Sequence, residues 1–225
     1  MTDDPRITVL LCDDQELVRA GFRLILDLEE DIEVVGEARD GRECLQLTRE
    51  HGPDVVLMDV RMPTMDGIEA TQALVAAGSP SRVLMLTTFD LDELVYAAMA
   101  AGASGFLLKD APREQLIGAI RMVARGDAIL APTLTRRLVE RFVAAPPPTT
   151  RTPDELGSLS ERELEVFAHL ARGLSNAEIA TKLYLSEATV KTHVARILAK
   201  LHLRDRVQVV VLAYETGFLQ PGRPD

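Results

Sequence analysis

The chain has 225 residues, of which 47% are hydrophobic and 27% are charged, and its formal net charge is −10. This length accommodates one large or two small domains, and the apolar content is enough for a true core. The lack of tryptophan and the few aromatic residues argue against a ring-stacking carbohydrate pocket, and the net charge taken alone argues against a nucleic-acid partner.

The negative charge is confined to the first part of the chain. Residues 1–130 contain 24 acidic and 12 basic residues, a balance of −12, whereas residues 172–206 contain 7 basic and 3 acidic residues, a balance of +4. This asymmetry indicates two separate roles. The N-terminus lacks the pattern of a signal peptide, and no apolar run reaches the roughly 20 residues of a membrane span. We therefore expect a cytoplasmic protein with no membrane partner.

The first 125 or so residues alternate short apolar runs with segments of helical period, which predicts a parallel sheet covered by helices on both faces. Five such units match a doubly wound, flavodoxin-like (βα)5 domain, expected over residues 1–126. The predicted strands are Ile7–Cys12, Ile32–Ala38, Asp54–Asp59, Arg82–Thr87 and Gly105–Leu108. The predicted helices are a segment with Leu17, Gly21, Leu24, Ile25 and Leu28 on one face, then Gly41–Glu50, Asp66–Ala77, Asp90–Ala101 and Arg113–Arg125.

Residues 127–157 are predicted to form one more helix and a linker. Proline is accepted in the first turn of a helix, so the helix is expected at Pro132–Val143. The proline-rich stretch 144–153 is typical of an extended linker.

Residues 158–225 read as an all-α domain of four short helices. Ser160 and Ser175 are each followed three residues later by glutamate, the pattern of a capping box at a helix start. Ser186 is expected to cap a third helix that ends near Leu201. The fourth helix, Arg204–Thr216, is expected to end at Gly217.

Charged and hydroxyl side chains follow four strands of the predicted sheet. Asp13 and Asp14 follow the first strand, and Asp59, Thr87 and Lys109 end the third, fourth and fifth. The carboxyl ends of parallel strands meet at one edge, which is where such folds bind ligands. Clustered carboxylates need a cation, and Mg²⁺ prefers oxygen ligands. A carboxylate can also attack a phosphoryl group, whose charge a metal ion and a lysine then neutralise.

Each of these residues has an ordinary interpretation when it is taken alone. An aspartate after a strand more often caps a helix, and a lone lysine is usually a solvated charge. Their joint presence at one edge favours a carboxylate site that is phosphorylated. Cys12 and Cys44 lack metal-binding or redox spacing, and we expect them to be small buried residues.

Residues 5–125 resemble the receiver domains of two-component response regulators. The resemblance rests on the stretches LLCDD at 10–14, MDVRMP at 58–63, LTT at 86–88 and GASGFLLK at 102–109. It implies that Asp59 accepts a phosphoryl group from a histidine kinase. It also implies a Mg²⁺ ion bound directly by Asp14, with help from Asp13 that is partly through water. By the same resemblance, the acceptor Asp59 and the backbone carbonyl of Arg61 would complete the protein ligands.

The same resemblance assigns roles to three further residues. Thr87 would be the switch hydroxyl that hydrogen-bonds a phosphoryl oxygen. Lys109 would pair with the phosphate. Phe106 occupies the position of an aromatic residue that changes rotamer on activation.

The tail resembles the LuxR-type helix-turn-helix, and the joined architecture resembles the NarL/FixJ class of response regulators. The resemblance rests on LSNAEIA at 174–180 and LSEATVKTHV at 185–194. A recognition helix places its N-terminal residues toward base edges in the major groove. The candidate DNA contacts are Ser175, Asn176, Thr189, Lys191, Thr192, His193, Arg196 and Lys200, of which Lys200 is equally well interpreted as a solvated charge.

The last helix is expected to mediate dimerisation, by resemblance to the family. The candidate residues are Val207, Val210, Val211 and Tyr214. Ala195 stands where some relatives have a lysine, so their target sequence does not carry over.

The predicted function is a transcriptional switch rather than an enzyme. Phosphorylation of Asp59 would change dimerisation and sequence-specific DNA binding. An aspartate-nucleophile phosphatase would need a second acid two residues after the nucleophile, where this chain has Arg61. A LuxR-type sensor of small signals would need an apolar pocket instead of the acid set. A regulator that works without phosphorylation stays open.

Overall fold

A computed structural model describes residues 6–88, 92–126 and 154–219. The chain divides into two compact units, Met1–Ile129 and Leu130–Asp225. The predicted helix Pro132–Val143 and the linker 144–153 lie outside the described residues. None of the helices in the described part of the chain is both long and apolar enough to span a membrane.

The first unit contains a five-stranded parallel sheet with strand order β2-β1-β3-β4-β5. This order confirms the flavodoxin-like prediction, and the direction of the crossovers changes between β1 and β3. The strands are β1 (Ile7–Cys12), β2 (Ile32–Ala38), β3 (Val55–Asp59), β4 (Arg82–Thr87) and β5 (Gly105–Leu108). The helices are α1 (Glu16–Leu26), α2 (Gly41–His51), α3 (Gly67–Ala76), α4 (Asp92–Ala100) and α5 (Arg113–Ala124).

The central strands are buried because helices cover both faces of the sheet. All five residues of β3 are buried, as its unbroken apolar run predicts. Leu11, Leu57 and Leu84 from three neighbouring strands form one cluster with Ile120 and Val123 of α5. Cys12 and Cys44 are both buried and are free thiols, in agreement with the sequence-based expectation.

Helix α1 presents to solvent most of the apolar face that its sequence pattern defines. Leu17 is 86% exposed, Leu24 70% and Leu28, just beyond the helix, 67%. Of the residues expected on that face, Ile25 packs against the core, together with Phe22 and the buried Leu26. The helix is apolar on two sides, so helical periodicity alone cannot tell which side meets the sheet.

The segment after β3 brings α3 directly against the end of that strand. The N–H of Gly67, the first residue of α3, donates to the carbonyl of Val60 at 3.0 Å. A Cβ atom on Gly67 would lie 2.0 Å from the carbonyl oxygen of Asp59, so only glycine allows this approach. Thr64, in the connecting loop, has φ +68°, a conformation that is unfavourable for a residue with a side chain.

The second unit is helical, and its cap signals are confirmed. A 3-10 turn, Asp154–Ser158, precedes α6 (Glu161–Ala171), α7 (Asn176–Leu183), α8 (Glu187–Lys200) and α9 (Arg206–Glu215). Ser160 and Ser175 form complete capping boxes with Glu163 and Glu178, and Ser186 caps α8. The buried core includes Phe167, Leu170, Ile179, Val190 and Ile197.

Candidate functional site

The structure brings together the acidic residues that end β1 and β3. Carboxylate oxygens of Asp13, Asp14 and Asp59 all lie within 4.8 Å of one another. Asp13 and Asp59 are buried, whereas Asp14 is exposed. The cluster is therefore set into the edge of the sheet but is open to solvent on the side of Asp14.

Lys109 lies in contact with this acid cluster. Its Nζ is 2.6 Å from Asp13 Oδ2 and 3.0 Å from Asp59 Oδ2, and its side chain is only 8% exposed. Its backbone N–H donates to the Thr87 carbonyl at 2.8 Å, which ties the end of β5 to the end of β4. Burial alone would lower the pKa of Lys109, but the contacts with Asp13 and Asp59 outweigh it and raise that pKa. Lys109 is therefore a permanent positive charge beside the acids.

The carboxyl group of Asp59 is under opposing influences. Burial raises its pKa and is the largest effect, and the neighbouring charge of Asp13 raises it further. The Lys109 ammonium and the backbone amide of Arg61 act against this rise. On balance the pKa of Asp59 is raised, so ionising this carboxyl costs free energy that a further cation would recover.

The donor set at this edge fits a hard divalent cation. All the side-chain ligands available are carboxylate oxygens, the type that Mg²⁺ prefers. Asp13 Oδ2 is buried and lies 2.6 Å from Lys109 Nζ, and a carboxylate oxygen carries more than one lone pair. The oxygen thus keeps a lone pair available for a metal ion. The backbone of Arg61 lies beside the Asp59 carboxylate, while its side chain is exposed.

Thr87 lies on β4, the strand next to β3, and Phe106 lies on β5, one strand further out. Thr87 is buried at the end of β4, which pairs directly with β3. Phe106 pairs with Met85 in the register of β4 and β5, and its ring is fully buried. Thr87 therefore stands at the same edge of the sheet as the acid site, while the Phe106 ring lies inside the fold.

Sequence reasoning missed Arg19 of α1, which contacts the backbone of Asp13. Arg19 is 8% exposed, and its Nη1 donates to the backbone carbonyl of Asp13 at 2.7 Å. Nothing in the local pattern distinguishes it from a solvated arginine on an amphipathic helix. The contact depends on which side of α1 packs against the sheet, and the sequence does not fix that side.

The start of α8 presents an exposed polar surface. Lys191, Thr192 and Arg196 are exposed on it, whereas Val190 and Ile197 on the opposite side are buried in the core. Thr189 is exposed and bonds the Ser186 hydroxyl at 2.8 Å. At the start of α7, Ser175 is exposed and Asn176 is half-buried. The outward-facing backbone amides at a helix N-terminus are suited to phosphate oxygens.

Lys200 and His193 differ in setting from the other predicted DNA contacts. Lys200 Nζ lies 2.6 Å from Glu163 Oε2 and also donates to the Ser158 carbonyl at 3.2 Å. The Lys200 ammonium, with the backbone amide of Ser160, lowers the pKa of the buried Glu163 to about 2. Lys200 is thus bound within the unit. His193 is half-buried, and its Nδ1 makes no hydrogen bond.

Three of the four residues predicted to mediate dimerisation are buried in this structure. Val207, Val210 and Val211 of α9 are all buried. The side chain of Tyr214 lies outside the described residues. Contact of these valines with a second copy stays a prediction.

Comparisons with known proteins identify the family to which each part of the chain is similar. Residues 9–121 match the response regulator receiver domain, and residues 157–213 match the luxR family of bacterial regulatory proteins. The transcriptional regulatory protein YxjL of Bacillus subtilis, described as uncharacterized, is 45% identical over 96% of this chain and 98% of its own. The transcriptional regulatory protein LnrK of the same organism is 40% identical over 94% of this chain and 98% of its own.

Among solved structures, the response regulator ChrA of a heme-sensing two-component system is 42% identical, with a TM-score of 0.53, covering 96% of this chain and 100% of its own. A complex of the response regulator RcsB with DNA has a TM-score of 0.55 at 22% identity, covering 95% of this chain and 100% of its own. This likeness shows the fold alone. The chain therefore belongs to the response regulators that join a receiver domain to a LuxR-type DNA-binding domain, and it is a regulator of transcription.

Proposed function

We propose that Asp59 accepts a phosphoryl group from a histidine kinase and that the phosphorylated chain controls transcription by binding DNA. The observation that carries the proposal is the buried Asp59 carboxylate, which lies 3.0 Å from Lys109 and within reach of Asp13 and Asp14. In this role Asp59 is the nucleophile. It takes the group for itself, so no separate substrate is turned over and the chain is not an enzyme.

Mg²⁺ is the proposed cofactor. Asp13, Asp14 and Asp59 would bind it, with the backbone carbonyl of Arg61 as a further ligand. When bound, the ion neutralises charge on the phosphoryl oxygens during transfer. Lys109 supplies a second positive charge at the same place. The raised pKa of Asp59 agrees with this assignment, because a bound cation would offset the free-energy cost of ionising the buried carboxyl.

The proposed switch is a shift between two populations of the receiver. A phosphoryl group on Asp59 adds negative charge and hydrogen-bond acceptors. Thr87 would move to donate its hydroxyl, and Phe106 would change rotamer. The size of the shift is limited by how much better the phosphoryl group interacts with one state than with the other.

The proposed DNA surface is the start of α8 with the adjoining start of α7. Lys191 and Thr192 would face base edges, and Arg196 and His193 lie further along the same helix. Ser175, Asn176 and Thr189 would contact backbone phosphates. For Lys200, we assign the ion pair with Glu163 within the domain as the main role, ahead of a DNA contact. Two copies on DNA would contact half-sites about one helical turn apart, and a DNA partner places this function in the cytoplasm.

The proposal is tested with DNA selection on the full chain, with and without beryllofluoride as a phosphoryl mimic. Asp59→Ala is the matched control. We expect beryllofluoride to enrich a two-half-site sequence with the wild-type chain and to have no effect with Asp59→Ala. Identical selected pools with and without beryllofluoride would remove the switch from the proposal.

The two lysines of α8 provide an internal test of the DNA surface. If Lys191 contacts a phosphate or base, Lys191→Ala should reduce the slope of log affinity against log salt by about 1. Lys200→Ala should leave that slope nearly unchanged, because its charge is already paired with Glu163. Equal slopes for both variants would contradict the assignment.

A further inference from the structure

Arg19 is a buried arginine next to the acid site. Burying a guanidinium is unfavourable unless hydrogen bonds and an opposite charge compensate it. Both are present. The Nη1 of Arg19 donates to the carbonyl of Asp13 at 2.7 Å, and its Nε lies 3.3 Å from Glu37 Oε2.

The carbonyl that Arg19 contacts belongs to the peptide unit that joins Asp13 to Asp14. On the other side of Asp13, its N–H donates to the Ala38 carbonyl at 3.1 Å, which continues the pairing of β1 with β2. Its Oδ1 accepts the N–H of Gln15 at 2.9 Å. Arg19 therefore completes a set of bonds that fixes the plane of this peptide. Rotation of the plane would move the carboxylates attached on either side of it.

Glu37 holds the guanidinium in place from β2. Its Oε1 also accepts a hydrogen bond from Arg23 Nε at 2.5 Å. Arg23 thus shares the same partner as Arg19, but its hydrogen bond runs to Glu37 and not to Asp13 or Asp14, and its side chain is 39% exposed. The two arginines differ in whether they contact the peptide between the acids, which makes Arg23 a matched control.

We propose that Arg19 is a positioning residue for the metal site, and that it keeps the Asp13–Asp14 peptide in the orientation that lets both carboxylates serve one cation. The inference rests on the proposed function of that site. Arg19 acts through Asp13 and does not itself touch the cation or the phosphoryl group. Groups that orient metal ligands typically change metal affinity by roughly 10- to 100-fold when they are removed.

The test compares Arg19→Met with Arg23→Met in the full chain. Methionine keeps the apolar stem of either arginine and removes its donors. The first readout is the affinity for Mn²⁺, a cation of similar oxygen-ligand preference. This affinity is measured from the electron paramagnetic resonance signal of the free ion. The second is the Mg²⁺ concentration that gives half the maximal rate of phosphorylation by acetyl phosphate. We expect Arg19→Met to lower the affinity for Mn²⁺ and to raise the half-maximal Mg²⁺ concentration, each by roughly ten-fold. Arg23→Met should stay close to the wild type in both readouts.

The outcomes separate the inference from the function beneath it. A wild-type chain that neither binds Mn²⁺ nor becomes phosphorylated overturns the proposed function. A wild-type chain that does both, with Arg19→Met and Arg23→Met giving the same metal affinity, overturns the role of Arg19. If Arg19→Met does not fold, Arg19→Lys decides. Lysine keeps the charge but has one donor nitrogen, so we expect a smaller loss of Mn²⁺ affinity, and no loss would overturn the role.

Discussion

Replacement of Gly67 by alanine tests whether the start of α3 sets the position of the acceptor strand. The new Cβ would lie 2.0 Å from the Asp59 carbonyl oxygen and 2.9 Å from Met58 Cγ, whereas ordinary contacts begin at 3.4 Å. The Asp59 carbonyl and the start of α3 would have to separate by about 1.4 Å, the difference between these contact distances. Neither side can yield easily, because β3 lies inside the sheet and the capping box of Asp66 and Glu69 fixes the helix start.

The expected cost of Gly67→Ala is about 2 kcal/mol, within the range for an overpacked core. A change of that size lowers the Tm of a domain near 100 residues by roughly 8 °C or more. Since the displaced carbonyl belongs to Asp59, phosphorylation by acetyl phosphate should slow as well. Differential scanning calorimetry of the full chain, following the receiver transition, measures the first effect, and intact mass against time measures the second.

Gly118→Ala is the control for this experiment. Gly118 lies within α5, and a Cβ there would meet nothing within 4 Å. Alanine in a helix interior is favoured over glycine by about 0.5–1 kcal/mol, so this variant should raise the Tm. If Gly67→Ala were as stable as the wild type and became phosphorylated at the same rate, the close approach of α3 to Asp59 would not matter as argued.

Three further predictions concern single side chains. Burial raises the pKa of Asp59 in the folded state, so the ionised carboxylate opposes folding. Asp59→Asn should therefore raise the Tm at pH 7 without divalent cations. The gain should disappear near about pH 3, where the carboxyl is protonated in both the folded and the unfolded state. The pKa of Glu163 is lowered to about 2 from 4.5, so its pair with Lys200 stabilises the fold above pH 4.5, and this stabilisation is lost as the pH falls to about 2. Lys200→Met should therefore lower the Tm at pH 7 and have little effect on the Tm in acid. A difference in Tm that does not depend on pH would contradict this. Thr64→Gly should stabilise the receiver by about 0.5 kcal/mol or more in urea unfolding, because it relieves the left-handed backbone, and an unchanged midpoint would show no strain there.

The fold was predictable because its signals are local. The apolar run of β3 fits only a buried strand, and the serine–glutamate pairs at Ser160 and Ser175 mark helix starts within four residues. The gathering of Asp13, Asp59 and Lys109 followed from one rule of parallel sheets, that strand ends share an edge. No contact between individual side chains was needed for these predictions.

What could not be predicted depends on contacts between distant residues. Lys200 and Glu163 are separated by 37 positions, and nothing near Lys200 marks it as paired rather than solvated. The bond of Arg19 to Asp13 depends on where α1 packs, and the two apolar sides of that helix leave its orientation undetermined. The exposure of Leu17 and Leu24 could not be predicted for the same reason. Hydrophobic pattern states that a face is apolar but does not say what covers it.

The two buried thiols have a practical consequence for measuring this protein. Cys12 and Cys44 are the only cysteines of the chain, and both lie in the receiver, where neither is open to solvent. A thiol reagent can therefore react only when the receiver opens, and opening of the DNA-binding unit leaves no trace in the reaction. The rate of labelling reports the stability of one domain within the intact chain. With Mg²⁺ and beryllofluoride added, slower labelling would give the free energy of ligand binding to that domain alone.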